Sequence, residues 1–211
     1  MGVKVITRPP YYAKMLGAGL APTMQKAAMY LQSSALRKIN SGIMPANAPL
    51  TQSVKQGGQT LRDNGDLMRS IAPHSGDLWA DASTNLKYAR IQQEGGTITP
   101  KNAKALFIPA GSKTRTLMRS YGAHTPRSLI SAMKADGYGF FTVGKVFFAS
   151  KKGKTLKSGK EGKHGKEFAL FIISRSVKIP PRPFLFIDEK DANYLMKLIQ
   201  EGVTNSLGGR G

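Results

Sequence analysis

The chain has 211 residues, room for one ordinary domain or one domain with a large insertion, and 40 % of them are hydrophobic, enough to bury a core. It has no cysteine, which excludes disulfides and thiolate metal sites. Its 32 Lys+Arg against 12 Asp+Glu leave a net charge of +20, a field that attracts phosphate backbones and acidic protein surfaces. Met1–Pro10 has no apolar run fit for a signal peptide, and no stretch reaches the ~20 apolar residues of a membrane span. The expected setting is the cytoplasm, or a larger assembly built there.

Residues 1–20 read as an irregular arm. Pro9 and Pro10 stop regular pairing, Tyr11 and Tyr12 offer contact area, and Gly17 and Gly19 loosen the chain. Ala21–Ile39 is predicted to be an amphipathic helix. Pro22 suits a first turn, Met24, Ala27, Ala28, Leu31, Ala35, Leu36 and Ile39 recur at helical spacing, and Gly42 is placed to end it. A connector over 43–60 holds Pro45, Pro49, Gly57 and Gly58. Asn64-Gly65 is a turn signal, and Asp66 is placed to cap a short helix through Leu67, Met68 and Ile71 that Pro73 stops. Asp77–Ala82 alternates like a strand, with Trp79, the only tryptophan, as an anchor for a core or an interface. A helix capped by Thr84 or Asn85 should run to Glu94 and end at Gly95-Gly96. Thr97–Thr99 and Ala105–Ile108 read as strands.

Residues 111–139 are basic and turn-rich, with one predicted helix at Ser128–Ala135. Phe140-Phe141 and Val146–Phe148 are strand segments about Gly144, a turn or a bulge. Lys151–Lys166 holds seven lysines, four glycines and one acid, so it cannot pack a core and reads as a mobile loop or hairpin tip. Phe168–Ile173, continuing to Val177, is a buried strand. Pro180, Pro181 and Pro183 impose an extended path. Asp188 then caps a last helix from Glu189 to about Ser206, with Asp191 three residues on as a capping-box partner. Ala192, Leu195, Leu198, Ile199 and Val203 line one face of it. The fold class is α+β: an antiparallel or mixed sheet packed against a long N-terminal helix and a C-terminal helix. Residues 21–211 form a single domain after the arm, with a basic extended insertion at about 100–167.

Catalytic patterns are missing. His74, His124 and His164 stand in unlike contexts without metal-ligand spacing, and no serine sits in a nucleophile elbow. Asp63 with Asp66, and Asp77 with Asp81, are the paired carboxylates a hydrolase could use. Turn and cap roles account for the first pair, and strand spacing holds the second ~13 Å apart. No catalytic, cofactor or metal residue is assigned. Lys151, Lys152, Lys154, Lys157, Lys160, Lys163 and Lys166 are candidate contacts to DNA or to an acidic partner. The run holds no aromatic for base stacking and no base-reading motif, so DNA binding through it would be sequence-independent and salt-sensitive.

Four elements occur in a fixed order. Pro49-Leu50-Thr51 is followed by Leu61, Gly65, Leu67, Ser70 and Ile71, spaced as Leu-x-x-x-Gly-x-Leu-x-x-Ser-Ile. Tyr88 and Ala89 come next, with Gln92, Gln93 and Gly95 completing a Tyr-Ala-x-x-Gln-x-Gly pattern lengthened by one residue. Pro180, Arg182, Pro183, Phe184 and Leu185 then precede the last helix. Together they resemble the phage virion morphogenesis family, the Mu G-like tail-completion and head–tail joining proteins of tailed bacteriophages. The resemblance covers roughly residues 20–100 and 168–206. It implies a non-enzymatic structural protein at the head–tail junction of the virion, assembled in the host cytoplasm as a ring of identical subunits. The partners it implies are other neck, connector or tail proteins, with possible non-specific contact to packaged DNA and no membrane. Tyr11, Tyr12, Arg182 and Phe184 are the candidate subunit-interface residues; Arg182, held among prolines, could present its guanidinium to a carboxylate of the last helix or of a neighbouring subunit. The alternative is a sequence-independent nucleic-acid-binding accessory protein acting through the lysine-rich loop.

Overall fold

The structure, a computed structural model, describes residues 2–6, 13–55, 58–151 and 165–208. In chain order the elements are β1 (Gly2–Ile6), α1 (Ala13–Ser41), α2 (Pro49–Val54), α3 (Asp66–Ser70), β2 (Ala72–Ser75), β3 (Trp79–Ser83), α4 (Ala89–Glu94), β4 (Gly96–Ile98), β5 (Leu106–Pro109), α5 (Ser112–Ser120), α6 (Pro126–Ala135), β6 (Tyr138–Val143), β7 (Val146–Lys151), β8 (Phe168–Ser174), β9 (Val177–Ile179) and α7 (Glu189–Gly208). They gather into two compact units. The first is Met1–Ala46 with Gly57–Gly96 and Ile179–Gly211; the second is Asn47–Gln56 with Thr97–Lys178. The class is α+β with antiparallel sheets, a long N-terminal helix and a C-terminal helix, as the sequence predicts.

In the first unit β3 is the central strand of an antiparallel sheet ordered β1-β3-β2. The α1 stripe of Met24, Ala27, Ala28, Leu31, Ala35 and Ile39 packs with Ala80 and Ala82 of β3, Leu67 and Ile71 around α3, and Phe184, Leu185 and Leu195. Alanines on both the helix and the strand let the two approach closely. α7 runs antiparallel along α1. At one end the Ser206 hydroxyl donates to the Gly19 carbonyl at 3.0 Å, and at the other Ser34 and Lys38 meet Asp191. Between them Gly202 lies against Thr23, where a Cβ would collide with the threonine side chain. Asp188 caps α7 as expected: its Oδ1 accepts the Asp191 N–H at 2.8 Å, and its own N–H reaches Asp191 Oδ2 at 3.4 Å.

Four local expectations change here. α1 starts at Ala13, eight residues before the predicted start, so Pro22 is interior and residues 13–20 are helical rather than irregular. Leu20, 5 % exposed, extends the buried stripe upstream of the proline. Residues 2–6 pair with β3 as a strand. Asp66 does not cap α3. The N-cap is Gly65, in the left-handed region at φ +83°, and the Asp66 carboxylate accepts from Asn64 Nδ2 and Arg69 Nη2. The helix predicted from Thr84 or Asn85 forms only as α4, because the Thr84 hydroxyl bonds Ser70 Oγ at 2.7 Å and accepts the Leu86 N–H at 3.3 Å, holding the chain in a turn.

The second unit is a four-stranded antiparallel sheet ordered β5-β8-β7-β6. Leu170 and Phe171 of β8 and Ala149 of β7 are fully buried against Leu129 and Met133 of α6. Phe107 meets Phe147 and Phe171 edge-on with centroids 5.8 Å apart, and Phe140 stacks on Phe147. Gly144, at φ +59°, makes the turn between β6 and β7; the bulge lies instead at Phe147/Phe148 against β8. α6 begins at Pro126, two residues before the predicted start, because Thr125 and Ser128 form a reciprocal capping box. α2 and α5 have no counterpart in the sequence prediction. The β4 and β9 strands pair as a two-stranded ladder. No described helix is long and apolar enough to cross a membrane.

Candidate interaction surfaces

Three of the family-like stretches, at 61–71, 88–95 and 180–185, fold together in the first unit, whereas Pro49-Leu50-Thr51 opens α2 in the second. Gly95, at φ +72°, leaves no room for a Cβ, which would sit 2.7 Å from the Pro181 nitrogen. That close approach lays 181–185 along 92–93. The Arg182 N–H donates to the Gln92 carbonyl at 2.8 Å. The Gln93 side chain accepts from the Phe184 and Leu185 N–H groups at 2.9 and 3.0 Å, and donates to the Leu185 carbonyl at 2.9 Å. Leu67 and Ile71 enter the same core as Phe184 and Leu185. Tyr88 keeps 45 % of its surface exposed; burial first, and then the Asp66 and Asp63 charges, raise its hydroxyl pKa, which sets it beside the first stretch.

Arg182 is 7 % exposed. Its Nε donates to the Pro45 carbonyl at 2.8 Å and its Nη2 to the Ala46 carbonyl at 3.1 Å, with Nη1 3.5 Å from Gln92 Oε1. No described carboxylate pairs with it. The expected partner on the last helix is replaced by backbone carbonyls of the connector, and burial lowers the guanidinium pKa. Phe184 is fully buried in the core. Two residues on, Phe186 is 43 % exposed, with the Lys38 ammonium 3.9 Å above its ring. Tyr11 and Tyr12 lie outside the described residues.

Lys38, in the last turn of α1, is the polar centre between the helices. It donates to the Phe186 carbonyl at 2.7 Å and to the Asp191 carboxylate, and lies 3.3 Å from Asp188. Ser34 Oγ donates to Asp191 at 2.7 Å. Burial alone would raise the Asp191 carboxyl. The hydrogen bonds from Lys38, Ser34 and the backbone at 188, with the Lys38 charge, outweigh it and hold the pKa at about 2. The sequence identifies Asp191 as a cap; its ion pair with α1 carries no local signal.

Of the lysine run, Lys152, Lys154, Lys157, Lys160 and Lys163 lie outside the described residues. Lys151 and Lys166 flank them, both exposed, with the Gly165 N–H bonded to the Lys151 carbonyl at 2.8 Å. The basic character extends well beyond the run. The second unit holds 18 of the 32 Lys+Arg and three of the 12 Asp+Glu, net +15, leaving the first with 14 and nine, net +5.

One cluster has the residue types of a hydrolytic triad. His74 Nδ1 lies 2.9 Å from Asp81 Oδ1 and 3.2 Å from Ser83 Oγ. Both neighbours use the same ring nitrogen, whereas a triad needs the carboxylate on one nitrogen and the hydroxyl on the other. The cross-strand pairing of His74 with Asp81 accounts for the contact. Among the described residues no group of three His, Asp or Glu could hold a metal ion.

The model of the phage virion morphogenesis family matches residues 12–137, more than half of the chain. The chain belongs to the phage virion morphogenesis family. Family membership makes it a protein of bacteriophage virion assembly, with other virion proteins as its partners. The match takes in the first two of the convergent stretches, at 61–71 and 88–95. The 180–185 stretch lies beyond it, yet in three dimensions it is hydrogen-bonded to the second. Comparison with curated proteins and with solved structures finds no significant match.

Proposed function

We propose that the protein is a non-enzymatic structural subunit of a tailed-phage virion that completes the tail or joins it to the head as a member of a neck ring. The observation that carries this reading is the family match over 12–137, supported by the fold of the first unit, whose family-like residues support backbone instead of surrounding a cavity. The mechanism is binding energy alone. Phe186 and Ile187 ahead of α7, and Met29, Tyr194 and Met196 on the long helices, are exposed apolar side chains available to neighbouring subunits. Arg182 and Phe184 serve such an interface from beneath by fixing the path that leads to Phe186. The insertion at about 100–167, which falls within the second unit, contacts adjoining virion proteins.

Gold-labelled antibody against the protein, applied to intact particles, tests the location. Label confined to the head–tail junction is the expected result. Label along the tail shaft, or particles that carry none of the protein, would overturn the assignment to the neck. A second reading, sequence-independent DNA binding as the main function, is favoured by the concentration of charge in the second unit. It requires that the free protein bind duplex DNA and that virions assemble normally without it.

A further inference from the structure

Three cations of the second unit are gathered by topology and not by sequence proximity. Lys104 stands just before β5, Lys145 sits in the turn between β6 and β7, and Arg175 follows β8. Antiparallel pairing of Leu106 with Ser174 and of Val146 with Ile172 brings all three to the same end of the sheet. The Ile173 N–H donates to the Lys145 carbonyl at 2.7 Å and pins the turn against β8. Together with Ser174, Ser176 and Ile173 the three line an open pocket of about 560 Å³. No Asp or Glu lines it, and none of the three cations pairs with a described carboxylate. Like charges held at one site repel, and an anion between them relieves that repulsion.

We propose that this pocket is a phosphate-binding site that takes a phosphodiester of the duplex DNA backbone. A guanidinium fork, two ammonium groups and the Ser176 hydroxyl offer donors to a tetrahedral anion with several oxygens, while the Ser174 hydroxyl donates to the Ser176 carbonyl at 2.6 Å. A linear polyanion fits better than an acidic protein patch for two reasons. The unit carries +15 with three acids in all, so the attraction extends over the whole unit. Lys151 and Lys166 stand at the opposite end of the β7–β8 pair, a strand length of roughly 20 Å away. DNA, with one charge per ~1.7 Å of its axis, can satisfy both ends at once, whereas a carboxylate cluster fills one. No base-reading geometry accompanies the cations, so the contact positions DNA without reading its sequence. The inference stands on this pocket and does not depend on the neck assignment.

The test is fluorescence anisotropy of a labelled duplex of about 20 base pairs with the full-length protein across a salt series. The triple variant Lys104→Gln, Lys145→Gln, Arg175→Gln is compared with Lys87→Gln, Lys190→Gln, Lys197→Gln, which removes the same charge from exposed positions of the other unit. Circular dichroism checks that both are folded. The expected result is a fall of about one in the salt slope for the pocket variant, at ~0.9 per phosphate contact, equal for unrelated sequences, with the control slope unchanged. Equal losses in both variants would make the effect one of net charge and overturn the site. Polyglutamate competing as well as DNA of matched charge would point to an acidic protein and overturn the DNA assignment. So would inorganic phosphate that displaces the duplex at constant ionic strength, by making the free anion the ligand.

Discussion

Asp191 and Lys38 tie the last turn of α1 to the first turn of α7, and this pairing gives the fold an acid limit. The folded Asp191 pKa of about 2 lies below the ordinary 3.8. Its contribution is therefore complete above about pH 4 and is lost as the pH falls towards 2, a linkage on the order of 2 kcal/mol. Asp191→Asn should lower stability by about 2–4 kcal/mol at neutral pH, because it leaves a largely buried ammonium short of its partner. The variant should also flatten the stability profile between pH 4 and 2, which urea titrations at several pH values will read. Arg182→Lys should cost about 1–3 kcal/mol, since a lysine cannot span both the Pro45 and Ala46 carbonyls. If the variant unfolds at the wild-type urea midpoint, the guanidinium does not hold the connector. The sequence makes Arg182 look presented, because prolines flank it. Its acceptors lie 136 and 137 residues away in the chain, and no local pattern encodes that distance.

At the scale of elements, what could be read locally was the capped and periodic: the α1 stripe and the Asp188–Asp191 cap of α7. What could not were elements held by tertiary contacts. α5 offers Leu117 and Met118 among basic and polar residues, and it is anchored by Thr114, fully buried, whose hydroxyl donates to the Leu170 carbonyl at 2.7 Å. A buried threonine in a basic stretch gives no periodic signal. The α1–α7 contact makes a prediction of opposite sign to helix propensity. Gly→Ala in a helix interior ordinarily stabilises by roughly 0.5–1 kcal/mol. Gly202→Ala should instead destabilise, because its Cβ meets Thr23 side-chain atoms. Thr23→Ala in the same chain should restore the melting temperature. A Gly202→Ala protein that melts higher on its own would show that the helices are not in close contact there.

On the scale of the whole molecule, composition gives a strongly basic protein, and the fold adds that three quarters of the net charge, +15 of +20, belongs to one unit. The family is legible because Gly65, Gln93, Gly95 and Arg182 meet backbone needs that few other residues satisfy. The interaction surface is not legible in the same way. Contacts that bind neighbours leave no mark on the backbone of the free chain, and the motif residues are spent within it. A role in assembly shows itself in what happens to the virion when the protein is missing. The deciding measurement is electron microscopy of particles made with and without this gene. Heads and tails that accumulate separately in its absence, and join when the protein is supplied, are the result expected of a subunit that completes or joins the tail. Normal, joined particles made without it would contradict the account.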